Sequence, residues 1–227
     1  MTNYRDTSPD VSYPVQRSER RAEIRRDFFT MCYCIAKRLF DIAAAAAGLI
    51  IFALPMAFIS LIISADSKGC AVFRQQRVGL DGKLFSIYKF RTMDVSAPSE
   101  VATDELRDPY RYITRVGCFL RRTSLDELPQ LFNVLKGDMT LVGPRPLIAG
   151  EFEIHCLRRQ KNVYSVRPGI TGWAQVNGRD DVSVDEKVRL DAEYVENRSL
   201  VFDAFILIRT VAVVFTKKGY REGTRDQ

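Results

Sequence analysis

The stretch Arg121-Arg-Thr-Ser-Leu-Asp-Glu-Leu-Pro-Gln-Leu-Phe-Asn-Val-Leu-Lys-Gly-Asp-Met-Thr-Leu-Val-Gly-Pro-Arg-Pro146 sets two adjacent carboxylates, Asp126 and Glu127, between Arg121 and Arg122 on one side and Arg145 on the other. Ser124 followed by Glu127 has the spacing of a capping box, in which each side chain satisfies a free backbone N–H at a helix start. Leu128, Leu131, Phe132 and Leu135 recur at helical spacing, and Gly137 is the predicted stop. Pro129 removes an early helix hydrogen bond, which predicts a bend or a later start. A helix N-terminus stabilises a carboxylate and attracts phosphate, and arginines neutralise phosphate through paired hydrogen bonds. The pattern suits an ionised aspartate serving as nucleophile or metal ligand beside a clamped phosphate. It equally suits first-turn acids on a solvated face.

Working outward, Ala71 to Gly79 and Lys83 to Met93 read as short strands around the turn Leu80-Asp81-Gly82-Lys83. Alternation along the second strand puts Lys89 and Arg91 on one face. Residues 94–108 are acidic and poor in apolar side chains, as expected of a mobile loop. After Pro146, residues 147–160 read as a helix. The segment Val166-Arg-Pro-Gly-Ile-Thr-Gly-Trp-Ala-Gln-Val-Asn-Gly-Arg179 offers glycine turns that a ligand can approach, with Arg167, Gln175 and Arg179 as polar groups for it. A structural loop around a packing Trp173 is the competing reading. Residues 184–197 form an amphipathic pattern. Residues 199–216 are apolar but interrupted by Asp203 and Arg209, which predicts an interfacial or domain-packed helix and not a span.

Upstream, residues 42–65 carry no charge, long enough for a helix to cross hydrocarbon. Pro55 sits mid-run, where it kinks a helix. Lys37 and Arg38 precede the run and Lys68, Arg74 and Arg77 follow it, so the positive-inside rule gives a span no orientation. A re-entrant helix bent at Pro55 keeps both basic flanks on one side. The arginine-rich residues before about 30 read as a partly disordered tail, with a basic helix at a membrane surface over Ser18 to Phe29 as the alternative to a plain solvated tail, and with no secretory signal. The domain plan is therefore a tail (1–34), a re-entrant membrane helix (35–66), a catalytic domain (67–220) and a short tail (221–227). The fold class is α+β, with a compact α/β catalytic domain and amphipathic interfacial helices.

The formal net charge of +6 calls for an anionic partner, but acids are interspersed and no nucleic-acid motif is present, so nucleic acid is excluded. Five scattered cysteines give neither a disulfide framework nor zinc-ligand spacing. His155 is the only histidine, which argues against a Ser-His-Asp triad.

Six pieces in order carry a resemblance: Lys37-Arg-Leu-Phe-Asp41 with its apolar helix, Tyr88-Lys-Phe-Arg-Thr-Met93, Ser124-Leu-Asp-Glu-Leu128, Leu135-Lys-Gly-Asp138, Val142-Gly-Pro-Arg-Pro146, and Val166 to Gly178. Over about residues 35–220 the chain resembles the bacterial sugar transferases, monotopic phosphoglycosyl transferases that start glycan assembly on a polyprenol carrier. It lacks the multi-span region of longer relatives and so resembles the minimal catalytic form. The resemblance implies transfer of a sugar-1-phosphate from a UDP-sugar to polyprenyl phosphate, with UMP released and an aspartyl-phosphosugar formed on the way. It implies Asp126 as nucleophile and Mg²⁺ contact, with Glu127 as its partner. Arg121 and Arg145 are expected to clamp phosphate, with Lys89, Arg91, Arg167, Gln175 and Arg179 as further candidates. The expected setting is the bacterial inner membrane with the catalytic domain facing the cytoplasm; a homo-oligomer is compatible with the sequence. The rival expectations are a lipid-linked glycosyltransferase that releases UDP and a non-catalytic basic membrane adaptor.

Overall fold

A computed structural model describes residues 14–98, 108–178 and 182–216. The chain divides into two units, Met1–Lys37 and Arg38–Gln227. Of the first, residues 14–37 are helical. The acidic loop expected at 94–108 lies largely outside the described residues, as does Arg179.

The apolar run is divided between helix α1 (Pro14–Ile51) and helix α2 (Ala53–Asp66), and Phe29–Ile51 and Ala53–Asp66 meet at a 60° bend. The break falls at Phe52 (φ −93°, ψ 7°), three residues before Pro55. That offset is what proline chemistry dictates. The Pro55 ring has no N–H to donate and crowds the carbonyl four residues back, at Ile51. Hydrogen bonds resume on either side, Phe52 N–H to Gly48 O (2.9 Å) and Met56 N–H to Phe52 O (2.8 Å). Among the described residues no single helix is long and apolar enough to cross a membrane, but the bent pair is so by length and composition.

Only one face of this pair meets the rest of the domain. Ala45 is fully buried with Ile87, Val134 and Met139, and Ile63 packs with Phe90 and Leu120. Leu54, Phe58 and Leu61 point outward, with Leu54 84% exposed. Two polar anchors secure the end of α1. Arg38 donates to Val134 O (2.7 Å) and Leu135 O (2.9 Å), and the buried Asp41 accepts from Thr140 Oγ1 (2.5 Å) and Leu141 N–H (3.1 Å).

Strands β1 (Val72–Val78) and β2 (Leu84–Phe90) form the expected antiparallel hairpin, with Arg77 opposite Phe85 and Phe73 opposite Lys89. Directly opposed residues share a face, so Arg77, Gln75, Ile87 and Lys89 lie together. Helix α3 (Arg115–Thr123) follows, then a single 3-10 turn over Leu125–Glu127 and helix α4 (Gln130–Lys136). Gly137 ends α4 at φ +96°, a left-handed conformation suited to glycine.

Strand β3 (Thr140–Val142) pairs in parallel with β4 (Gly169–Thr171). Helix α5 (Phe152–Gln160) starts later than its composition predicts, because Ile148 N–H is taken by Glu151 Oε2 (2.7 Å) in a non-helical turn. After the short α6 (Trp173–Val176), α7 (Val184–Asn197) is capped by Ser183 Oγ, and α8 (Leu200–Thr216) completes the described chain. Val142, Val176, Tyr194, Val195 and Ile206 form a core joining β3 to the last three helices. Outward, α8 exposes Val201, Ile208 and Val211. The architecture is a mixed α+β one, with two separate two-stranded sheets among the described residues.

Candidate active site

The carboxylates Asp126 and Glu127 sit on the 3-10 turn between α3 and α4, and the expected capping box does not form. Ser124 is left-handed (φ 57°) and closes α3, its N–H bonding Arg121 O and Leu120 O, and its hydroxyl makes no cap hydrogen bond. A serine spent on ending one helix is not in the extended conformation needed to cap the next. Pro129 delays α4 to Gln130, as the later-start reading had it. The three-residue turn also lacks the aligned peptide units of a helix dipole, so the charge environment of the pair comes from side chains.

Those side chains are cationic. Lys89 Nζ lies 3.1 Å from Glu127 Oε1, and Arg145 Nη1 lies 3.9 Å from the same oxygen. Glu127, Lys89 and Arg145 line a shallow open cleft with Arg77, Gln130, Ile87, Pro146, Gly169 and Ile170. Three cations to one carboxylate make the lining net positive, suited to a polyphosphate ligand. Arg77 is absent from the candidates drawn from sequence. Its signal was the period of two along β1 and the opposed pairing with β2, which together put it on the face of Lys89.

Of the other candidates among the described residues, Asp126, Arg121, Arg91, Arg167 and Gln175 do not line this cleft. Arg121, half-buried, donates Nε–H to Thr92 Oγ1 (2.8 Å). Arg91 is turned away from the cleft. The strand ends at Phe90, and the Arg91 guanidinium reaches Ser67 Oγ (2.6 Å), Ser67 O (2.9 Å) and, through Nε, Cys70 O (2.9 Å). It stitches the chain leaving α2 to the hairpin. Arg167 donates to Gly137 O (2.9 Å) behind α4. Gln175 is buried with neither amide atom hydrogen-bonded and does not line the cleft. Trp173 packs edge-on to Phe202 (5.1 Å), with the Arg209 guanidinium 5.5 Å from its ring, which is the structural-loop reading of that segment.

Two buried polar arrangements flank the cleft's Pro144–Pro146 wall. His155 bridges Ile148 O (2.8 Å) and the Tyr164 hydroxyl, a structural placement for a residue that had no expected role. Burial raises the Tyr164 phenol, with Arg158 opposing. Arg158 Nη2 meets Asp191 Oδ2 at 2.5 Å, and both side chains are buried. Burial pushes the Asp191 carboxyl up from its ordinary value, and Arg158 pulls it back. Among the described residues no group of three His, Cys, Asp or Glu side chains could enclose a metal ion.

With this geometry in place, comparison with known proteins is direct. The family model of the bacterial sugar transferases matches residues 32–217, and the chain belongs to that family. It is 42% identical over 190 residues to the uncharacterised sugar transferase EpsL of Bacillus subtilis, covering 83% of this chain and 91% of that protein. It is 43% identical over 198 residues to the undecaprenyl-phosphate galactose phosphotransferase of Salmonella typhimurium, covering 81% of this chain and 41% of the relative. Identity to the UDP-glucose:undecaprenyl-phosphate glucose-1-phosphate transferase of Escherichia coli is 41% over 191 residues, again 81% and 41% of the two chains. The chain thus spans less than half the length of the latter two relatives.

Proposed function

We propose that this protein transfers a sugar-1-phosphate from a UDP-sugar to polyprenyl phosphate in a bacterial membrane and releases UMP. The observation that carries the reading is the placement of Glu127 between Lys89 and Arg145 on a cation-lined cleft, with Asp126 beside it on the same turn. The named activities of the Salmonella and Escherichia relatives supply the reaction class.

In this mechanism an Asp126 carboxylate oxygen attacks the sugar-bearing phosphorus. The new P–O bond forms as the pyrophosphate bond breaks, and UMP leaves with the bonding electron pair. A polyprenyl phosphate oxygen then attacks the same phosphorus, breaking its bond to Asp126 and regenerating the carboxylate. Covalent catalysis lets donor and acceptor use one phosphate site in turn. Lys89, Arg145 and Arg77 offset phosphate charge, and Lys89 holds Glu127 in place beside the nucleophile. The donor set would fit magnesium only in an open form: Asp126, with Glu127 beside it, would offer hard oxygens, and the remaining positions would fall to substrate oxygens and water. Magnesium held there supplies additional charge neutralisation to the phosphates.

The bent helix pair is read as re-entrant, entering and leaving by the cytoplasmic leaflet of the inner membrane. Its outward apolar face, the 60° bend and the basic residues on both flanks support this placement. The exposed apolar side chains of α8 support a second contact with the interface.

The test is nucleotide release by the detergent-solubilised protein with polyprenyl phosphate, magnesium and a panel of UDP-sugars. Repeated turnover to UMP only when lipid is present, with no more than about one UMP per protein without it, is the expected result; UDP would move the protein to the glycosyltransferases. Asp126→Ala is expected to abolish UMP release, a loss of at least about 10⁴-fold for a missing nucleophile, while remaining in the membrane fraction. Full turnover in that variant would remove Asp126 from the nucleophile role.

A further inference from the structure

Four consecutive carbonyls, Pro144 to Leu147, are all hydrogen-bonded, and the middle two residues, Arg145 and Pro146, line the cleft. Pro144 O accepts from Gly169 N–H (2.9 Å) and Leu147 O from Val78 N–H (2.9 Å). Pro146 O accepts from Arg77 Nη1 (3.2 Å) and Arg145 O from Arg158 Nη1 (2.8 Å). Strand β4 makes its contact by close approach: a Cβ on Gly169 would lie 2.1 Å from Gly143 N. Only the Arg145 carbonyl is held by a fully buried charge, and that charge comes from α5, with its counterion Asp191 on α7.

We propose that the Arg158–Asp191 pair is a positioning device for Arg145, aiming its guanidinium at the cleft through the backbone. Asp191 fixes one arm of the Arg158 fork, and the other arm fixes the Arg145 carbonyl plane. The flanking prolines lock their own φ angles and restrict ψ of the residues before them. With the carbonyl also held, the Cα–Cβ direction of Arg145 has little freedom left. Its side chain, 47% exposed, would otherwise lose much of its preorganisation to rotamer entropy.

The competing account is that the pair merely ties α5 to α7. The structure argues against that as its main role. Leu147, Ile154 and Val188 already join these helices by apolar contact. The pair leaves Arg158 Nε and Asp191 Oδ1 without hydrogen-bond partners, an arrangement costly to stability where apolar residues would do as well or better. What apolar residues lack is a donor for Arg145 O.

This inference rests on the transferase reading for the role of Arg145, and its test separates the two. UDP binding is measured by calorimetry on the full chain in detergent, for the wild type, Arg145→Ala, Arg158→Met with Asp191→Leu, and all three changes together. Melting temperature and UMP release are recorded on the same proteins. The apolar swap is expected to melt near the wild type, since relief of the buried charges offsets the lost donor to Arg145 O, yet to weaken UDP binding about tenfold, a coupling of ordinary size for linked residues. In the Arg145→Ala background the swap is expected to change UDP binding by less than about twofold. Equal losses in both backgrounds, or no loss in either, would overturn the positioning role. Should the apolar swap fail to fold, Arg158→Lys, which keeps the charge but loses the fork, enters the same cycle with the same expectations. Coupled UDP binding without any UMP release sinks the transferase reading and leaves the positioning role standing; UMP release without coupling does the reverse. A wild type that binds no UDP overturns both.

Discussion

Lys89 and Arg91 are two cations two positions apart, and they divide between chemistry and architecture. Lys89 meets Glu127 at the cleft, whereas Arg91, 7% exposed, spends its donors on Ser67 and Cys70. Lys89→Ala is therefore expected to lower kcat/KM about a hundredfold, the scale of losing one charge-stabilising donor, at a stability cost below about 1 kcal/mol. Arg91→Ala is expected to cost about 1–2 kcal/mol by removing a buried side chain and its hydrogen bonds to Ser67 and Cys70, with near-normal turnover per folded molecule. Urea titration alongside steady-state kinetics on both variants checks the split; a reversed pattern would exchange their roles. Alternation along β2 placed both on one face, and it held only as far as the strand did. The pairing of Glu127 with Arg145 was suggested by two opposite charges within one short stretch, whereas that with Lys89 spans 38 positions and rests on the tertiary fold. The pairing of Arg158 with Asp191 was not legible, since a long-range pair on two amphipathic helices leaves no local pattern.

Among the elements, the two misread starts share a cause. The Ser124–Glu127 spacing fits a capping box, and residues 147–160 fit a helical composition, but in each case an immediately adjacent element claimed the residues first. Ser124 ends α3, and Ile148 serves Glu151 and His155. The α1–α2 bend was better marked, because proline acts on its own backbone whatever surrounds it. Pro55→Ala restores an N–H able to bond Ile51 O, and the bend is expected to open. Nitroxides at Ala47 and Ser64, both exposed, would then move apart toward about 25 Å, the axial rise of a straight helix over that interval. Electron–electron distance measurement in bilayers reads this directly. An unchanged separation would assign the bend to packing of Ile63 against Phe90 and Leu120 instead of to the proline.

At the scale of the whole molecule, stability carries a signature of the buried Asp191. Because burial raises its carboxyl above the ordinary carboxylate range, with Arg158 opposing, the folded chain holds that proton more tightly than the unfolded chain. This group's contribution to stability is then full below the unfolded value and declines as pH rises through the folded one. The wild-type melting temperature is accordingly expected to fall relative to that of Asp191→Asn across that window. Parallel melts from pH 3.5 upward test it, and a difference that rises with pH would show the Arg158 attraction outweighing burial.

The bond between Asp41 and Thr140 also orders events on the ribosome. These partners lie 99 positions apart, so at common elongation rates of roughly 5–20 residues per second, translation reaches Thr140 some 5–20 s after Asp41. Strand β4, the partner of β3, is made later still. Throughout that interval the nascent apolar helix pair has no finished domain to dock against. Its early shelter must come from outside the chain, and a truncated transcript ending before Thr140 would yield a product that chaperones or lipid hold and its own domain cannot.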